Sequence, residues 1–261
     1  MSALRALCPH CRTRTAVALG DDYECHVCGR EFVAAVVRVP RAWGNGGEAM
    51  AEAAGLPLFY PEVAVVECET LAEQTSALAA ALPPRPIVVG GCCCSHTGAI
   101  TGLARRVGRL GVVWLDAHGD LNTPESSPSG NAWGMPLRAA IDAGAVAPRD
   151  VALVGARELD PPEVEYVASV GIDDDLDRAL ADVDAVYVAF DADVLDPPTI
   201  RCFMPEPSGL AIDEAAAILE SAVARRPLAG IGVTGLVPDD ANTAVVVRLL
   251  AAVGLPASWP G

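Results

Sequence analysis

Residues 111–138 read GVVWLDAHGDLNTPESSPSGNAWGMPLR. The apolar run 111–115 has the composition of a buried strand, and Asp116-Ala-His118-Gly-Asp120 follows it directly. On an extended chain residues i, i+2 and i+4 share a face. Alternation therefore predicts that Asp116, His118 and Asp120 converge on one point. A carboxylate–imidazole–carboxylate set suits Zn, Mn, Fe or Ni better than Ca or Mg. A buried histidine braced by two acids would use the same residues structurally. A second apolar run, 185–190, ends in Asp191-Ala-Asp193 and repeats the design. Five polar ligands at two strand ends favour a metal site.

Outward from these runs, apolar strands alternate with helical patterns. Strands are expected at 33–39, 63–66, 87–89, 151–154, 186–190 and 231–233. Helices are expected at 49–54, 71–82, 101–110, 136–143, 161–170, 176–181, 214–225 (with Asp213 as N-cap) and 242–253. Such alternation implies an α/β fold with a parallel sheet covered on both faces. In these sheets ligands gather at the carboxyl ends of strands, where both acidic motifs fall.

The first forty residues differ in kind. They carry Cys8-x-x-Cys11 and Cys25-x-x-Cys28, two knuckles able to wrap four thiolates around one ion. The segment resembles a zinc ribbon. It predicts one structural Zn on Cys8, Cys11, Cys25 and Cys28, with His10 and His26 outside the ligand set. A closed four-thiolate site leaves no open position for chemistry, so this segment is structural or adaptor-like. The Gly- and Pro-containing passage 40–47 divides the chain into a zinc-ribbon-like segment, 1–39, and a main domain, 40–261.

Composition bounds the remaining possibilities. The 261 residues are 52% hydrophobic and 20% charged, as in globular proteins. The net charge of −16, with arginine the only basic residue besides histidine, argues against a nucleic-acid or anionic-membrane partner. No apolar run approaches the ~18 residues of a membrane span, and no signal-peptide pattern opens the chain. A cytoplasmic location is expected. Nine cysteines, three of them consecutive at Cys92-Cys93-Cys94, do not form a disulfide framework.

WLDAHGDLNTPESSPSGN and FDADVLDPP, preceded by a strand ending in Gly90-Gly91, together resemble the ureohydrolase superfamily of arginase and agmatinase. The resemblance covers roughly residues 40 to 255. It implies a three-layer α/β/α fold with a mainly parallel sheet of about eight strands. It also implies two divalent metals, usually manganese, bridged by a hydroxide that attacks the substrate carbon. Asp116 and Asp191 match the bridging carboxylates, His118 and Asp193 complete one site, and Asp120 belongs to the other. Cys93 stands where the family's histidine ligand is expected. A thiolate there would shift preference toward Zn, Fe or Ni; equally, Cys93 could pack small and leave that site altered or empty.

The same resemblance assigns Asn122, Ser129 and Asn131 to a substrate carboxylate, and Asp160 and Glu163 to an amino group. Trp133 replaces an active-site histidine, and Gly235 stands where a guanidinium-binding glutamate is expected. The implied activity is hydrolysis of a non-peptide C–N bond (amidine, guanidino or amide) in a small amino-acid-like substrate. His118 and Asp120 would serve catalysis, Asp120 or a metal-bound water handling the proton, and Trp133 would line the substrate. Arginine itself is doubtful on this reading. The alternative is an inactive or mononuclear arginase-fold protein acting through its ribbon. Family members commonly form trimers or hexamers, so a homo-oligomer is possible.

Overall fold

A computed structural model describes residues 5–257. The first elements are β1 (Ala6–Leu7), β2 (Arg14–Leu19), β3 (Asp22–Cys25), β4 (Glu31–Phe32) and β5 (Ala35–Val39). They are followed by α1 (Glu48–Ala53), β6 (Glu62–Val65), α2 (Leu71–Ala81), β7 (Pro86–Gly90), α3 (Cys94–Ala104) and β8 (Leu110–Leu115). The second half holds α4 (Pro136–Asp142), β9 (Val151–Val154), α5 (Pro161–Val170), α6 (Leu176–Ala179), β10 (Ala185–Asp191), α7 (Ile212–Arg225), β11 (Leu228–Thr234) and α8 (Ala241–Ala252).

All the strands join one sheet in the order β4-β3-β2-β1-β6-β5-β7-β11-β10-β8-β9. From β6 to β9 every pairing is parallel, which makes seven parallel strands where the resemblance implied about eight. From β4 to β6 every pairing is antiparallel. The pleat divides the core in two. Val113, Leu115, Val188 and Phe190 face one side with Leu219 of α7 and Leu249 of α8. Val112, Trp114, Tyr187 and Ala189 face the other with Leu78 of α2, Ile100 of α3 and Leu137 of α4. Burial on both faces explains why these strands read as continuous apolar runs rather than alternating ones. The fold is the three-layer α/β/α architecture.

Three expectations need correction. The division at 39/40 falls one strand late: β5 pairs in parallel with both β6 and β7, so it belongs to the main sheet. The ribbon strands end at Phe32. Residues 1–4 and 258–261 of the expected domain ranges lie outside the described residues. The helix expected at 101–110 instead runs Cys94–Ala104. Its Cys-Ser-His-Thr-Gly start has poor intrinsic helix propensity, but Gly98 and Gly102 let its backbone press on α2. A Cβ on Gly102 would lie 2.7 Å from the Ala79 carbonyl. Tertiary packing overrides propensity there. Helix α7 begins at Ile212 after Ala211, so Asp213 lies inside the first turn rather than at the cap. Pro161–Val170 falls as read: Pro starts the helix, the Glu163 carboxylate reaches back to accept from the Asp160 N–H, and Gly171 ends it at φ 72°.

Candidate active site

Strand β8 stops at Leu115, so Asp116, His118 and Asp120 lie in the loop beyond it rather than on extended chain. Their convergence comes from a tight bend. Asp116 Oδ1 accepts from the His118 N–H at 2.8 Å, and Asp120 sits at φ 53°. Asp191 is the last residue of β10; its Oδ1 accepts from the Asp193 N–H at 3.1 Å and turns the chain into a short 3-10 turn. The neighbouring strands β8 and β10 thus deliver two acidic bends side by side.

Two donor sets converge, each with ligand atoms within 4.8 Å of one another: Cys93, Asp116 and Asp120; and Asp116, His118 and Asp193. Asp116 belongs to both. His118 turns Nδ1 toward Asp193 Oδ2 at 3.1 Å and Asp116 Oδ1 at 3.4 Å. Asp191 belongs to neither set. Its Oδ2 accepts from the Cys93 thiol at 2.7 Å and from the Thr234 hydroxyl at 3.0 Å.

Burial dominates the electrostatics. Asp116, Asp120, Asp191 and Asp193 are all buried. Burial, then the charge of Asp193, pushes Asp191 up to about 7. Burial and the charge of Asp116 push Asp193 up to about 6. Asp120 rises well above the carboxylate range through burial and the charges of Asp116 and Asp191. Burial opposes protonation of His118, but hydrogen bonds and charge from Asp116 and Asp193 outweigh it and push the imidazole up to about 12. Burial, then the charges of Asp191, Asp120 and Asp116, raises the Cys93 thiol. Asp120 Oδ2 is buried with no hydrogen-bond partner among the described residues. Clustered buried acids with an orphaned oxygen lack positive charge, and divalent cations would supply it. The donors fit the group.

Behind the acids lies a chain that sequence reasoning did not find. Thr234 Oγ1 is 3.2 Å from Cys93 Sγ and 3.1 Å from His96 Nε2, and His96 Nδ1 is 2.8 Å from the Tyr187 hydroxyl. Burial drives His96 down to about 3, so the ring is neutral. With both ring nitrogens engaged by Tyr187 and Thr234, His96 braces Thr234 and stands outside both donor sets.

A cavity of about 370 Å³ opens above the acids. Asn122, Ser129, Trp133, Asp160 and Glu163 line it, as expected, but Asn131 does not. Asn131 Oδ1 instead accepts from the Asn45 N–H at 3.0 Å and ties the loop. Asn122 Nδ2 donates to Asp160 Oδ2 at 2.8 Å, and Glu163 accepts from the Leu121 and Asp160 N–H groups. These two acids are thus committed to the loop and the α5 cap before any substrate arrives. The Trp133 ring lies over Gly44, where a Cβ would collide with it, and meets Phe203 edge-on at 5.6 Å. Met50, Phe203, Met204 and Glu206 complete the wall. None of the four belongs to either motif: Met50 comes from α1, and Phe203, Met204 and Glu206 from the loop that follows FDADVLDPP.

At the other end of the sheet the four cysteines Cys8, Cys11, Cys25 and Cys28 come together. Cys8 and Cys28 sulfurs are 3.8 Å apart, and those of Cys11 and Cys25 3.5 Å. His10 and His26 are exposed beside them.

The arginase family model matches residues 48–255, a span that holds both acidic bends and the loops above them. The chain belongs to the arginase family. The arginase of Staphylococcus aureus (strain COL) is 32% identical over 140 residues, 43% of this chain and 46% of that protein. The arginase of Bacillus subtilis is 36% identical over 141 residues, 43% of this chain and 47% of that protein. By sequence, the chain spans about half the length of these curated relatives. The likeness of fold reaches further. The Bacillus caldovelox arginase superposes with a TM-score of 0.71 at 25% identity, covering 84% of this chain and 97% of that one. Formimidoylglutamase from Bacillus subtilis superposes at 0.68 with 17% identity over 85% and 87%, a likeness of fold alone. Among the described residues no helix is long and apolar enough to cross a membrane.

Proposed function

We propose that this arginase-family protein is a metal-dependent hydrolase that cleaves a non-peptide C–N bond in a small amidino or guanidino compound. The observation that carries the reading is the pair of donor sets joined through Asp116 beneath a cavity whose lining holds no arginine or lysine. The relatives named above are arginases, so the expected exclusion of arginine is not borne out. The acidic lining points to a cationic substrate rather than the neutral one that Gly235 alone suggests.

Asp116, His118 and Asp193 would hold one cation, and Asp116, Asp120 and Cys93 the other, with Asp191 between Cys93 and Asp193. When bound, two divalent cations would lower the pKa of a water so that a hydroxide nucleophile is available at neutral pH, and would orient it toward the substrate carbon. Manganese is the family expectation, and the thiol at Cys93 makes Zn, Fe or Ni good alternatives. Loading would release the protons that burial now holds on Cys93 and the acids. Asp120, with its unpaired Oδ2, is placed to take a proton from the nucleophile and pass it to the leaving nitrogen. Asn122 and Ser129 would orient the far end of the substrate, while Trp133 and Phe203 exclude water from one side.

For the ribbon we propose one structural zinc on Cys8, Cys11, Cys25 and Cys28. Tetrahedral zinc–thiolate bonds of about 2.3 Å place sulfurs about 3.8 Å apart, close to the spacing found. The ribbon would then be a metal-tied extension of the hydrolase sheet. A reducing compartment, where cysteines stay out of disulfides, would suit both centres.

The test is release of urea or ammonia from arginine, agmatine and a formimino amino acid, with Mn, Zn, Fe and Ni loaded in turn. Turnover of one of these, lost on Asp116→Asn, is expected. A fully loaded protein that releases nothing from any of them would overturn the assignment.

A further inference from the structure

The carboxylate that pairs with a cationic substrate head cannot stand at position 235. Gly235 lies at φ 71°, and a Cβ built there would collide with the Asp191 carboxylate. Any side chain at that point would displace a residue of the metal centre. The compensating acid must come from elsewhere in the lining.

Most of the remaining acids are already committed. Asp160 accepts from Asn122, Glu163 accepts from two backbone N–H groups, and Glu158 is exposed at the rim. Glu206 differs. Its side chain is 25% exposed, it lines the cavity, and its Oε1 is 3.9 Å from His118 Nε2. That nitrogen is the one His118 turns away from Asp116 and Asp193. One imidazole therefore separates the Glu206 carboxylate from the metal-binding acids. Among the described residues, no other side chain or N–H reaches that carboxylate.

Its backbone, by contrast, is firmly held. Arg157 Nη2 donates to the Glu206 carbonyl at 2.9 Å and to the Asp193 carbonyl at 2.8 Å. Arg157 Nε donates to the Pro207 carbonyl at 2.9 Å, and Nη1 to the Gly155 carbonyl at 3.0 Å. The Phe203 N–H donates to the Gly235 carbonyl at 2.8 Å and pins the same loop beside the empty position. A fixed peptide whose carboxylate has a single, long contact, the His118 imidazole at 3.9 Å, is prepared for a ligand. The Trp133 and Phe203 rings in the same cavity add aromatic faces that favour a flat cation.

We infer that Glu206 is the specificity-determining carboxylate of the pocket, pairing with the planar amidinium or guanidinium head of the substrate in place of an acid at position 235. A two-oxygen acceptor matches the two parallel N–H donors of such a head better than it matches a primary ammonium. The inference rests on the hydrolase reading above and names the substrate class more narrowly.

The experiment is calorimetry on the manganese-loaded full chain with agmatine, arginine and the uncharged ureido analogue citrulline, beside metal analysis and urea release. Glu206→Gln keeps shape and removes charge. It should weaken agmatine at least tenfold, leave citrulline within twofold and leave metal content unchanged. Glu206→Asp should recover part of the loss, and the surface control Glu165→Gln should recover nothing because it loses nothing. Wild-type affinity for agmatine in Glu206→Gln would overturn the inference. So would a loss of metal in that variant, which would make Glu206 a positioning residue for His118. The two readings fail separately. Agmatine bound through Glu206 without product release sinks the hydrolase reading alone, whereas turnover indifferent to Glu206 sinks this one alone.

Discussion

The two regions of this chain that could hold a metal sit at opposite ends of their own logic. In the ribbon, four soft thiols come from two short knuckles, and threonine hydroxyls brace them: Thr13 is 2.9 Å from Cys11 and Thr15 is 3.2 Å from Cys25. In the pocket, hard carboxylates come from the ends of strands distant in sequence, and deep burial brings them together. On the proposed reading the ribbon would need its metal to hold its fold, because its short strands enclose little apolar volume of their own. The pocket has its fold already, from the seven-stranded core beneath it, and needs a metal only to relieve crowded charge. On the proposed reading, metal would be architecture in one region and chemistry in the other.

Removing a thiol should give the sharpest break between them. Cys25→Ser is expected to release the ribbon zinc, a contribution of about 10–16 kcal/mol in small zinc-dependent folds. Amide protection should vanish over 6–32 and persist in β7, β8, β10 and β11. Hydrogen exchange with elemental analysis checks this, and full zinc content in the variant would erase the distinction. Next in size, Asp116→Asn should strip metal from both pocket positions, because Asp116 belongs to both donor sets. Asp193→Asn should weaken one. Equal partial losses by metal titration would show that the two sets are not joined through Asp116. Smaller still is Gly235→Glu. The left-handed backbone alone costs about 1–2 kcal/mol for a residue with a Cβ, and the collision with Asp191 adds to it. A lower denaturation midpoint and lower metal content are expected, without improved guanidinium binding. The mildest change is Cys93→His, which should alter which metal is retained, raising manganese relative to zinc, more than how much. Identical metal content in Cys93→His and Cys93→Ala would reduce the thiol to packing.

What could be read from sequence follows the same divide. The ribbon was legible because each knuckle is written within four residues, and the thiols meet as their spacing predicts. The acids were legible because apolar runs end on them, although they converge through a loop bend and not through strand alternation. The remainder depends on contacts that spacing does not encode. Asn131 was read as a substrate ligand and holds the Asn45 backbone; Glu163 was read the same way and caps α5. Both roles suit the same polar atoms, and only packing chooses between them. Glu206 stood in no motif, in a Pro-flanked loop that owes its position to the Arg157 guanidinium. Helix α3 was displaced in the reading because Gly98 and Gly102, poor helix residues in isolation, are what let α2 and α3 touch.

The single pairing of Leu7 with Glu62 joins the ribbon to the rim of the parallel sheet. Because β6 has β5 on its other side, β1 is what covers the outer rim of β6 at its first residue, Glu62. A bare strand rim is a template for intermolecular pairing. Loss of the ribbon metal by mutation, as in Cys25→Ser, would thus be expected to register as loss of solubility, in light scattering, with turnover of the remaining soluble protein retained. On that account the thiol cluster would act as a guard against aggregation, and a variant that lacks it is the form in which the protein would precipitate with its pocket still intact.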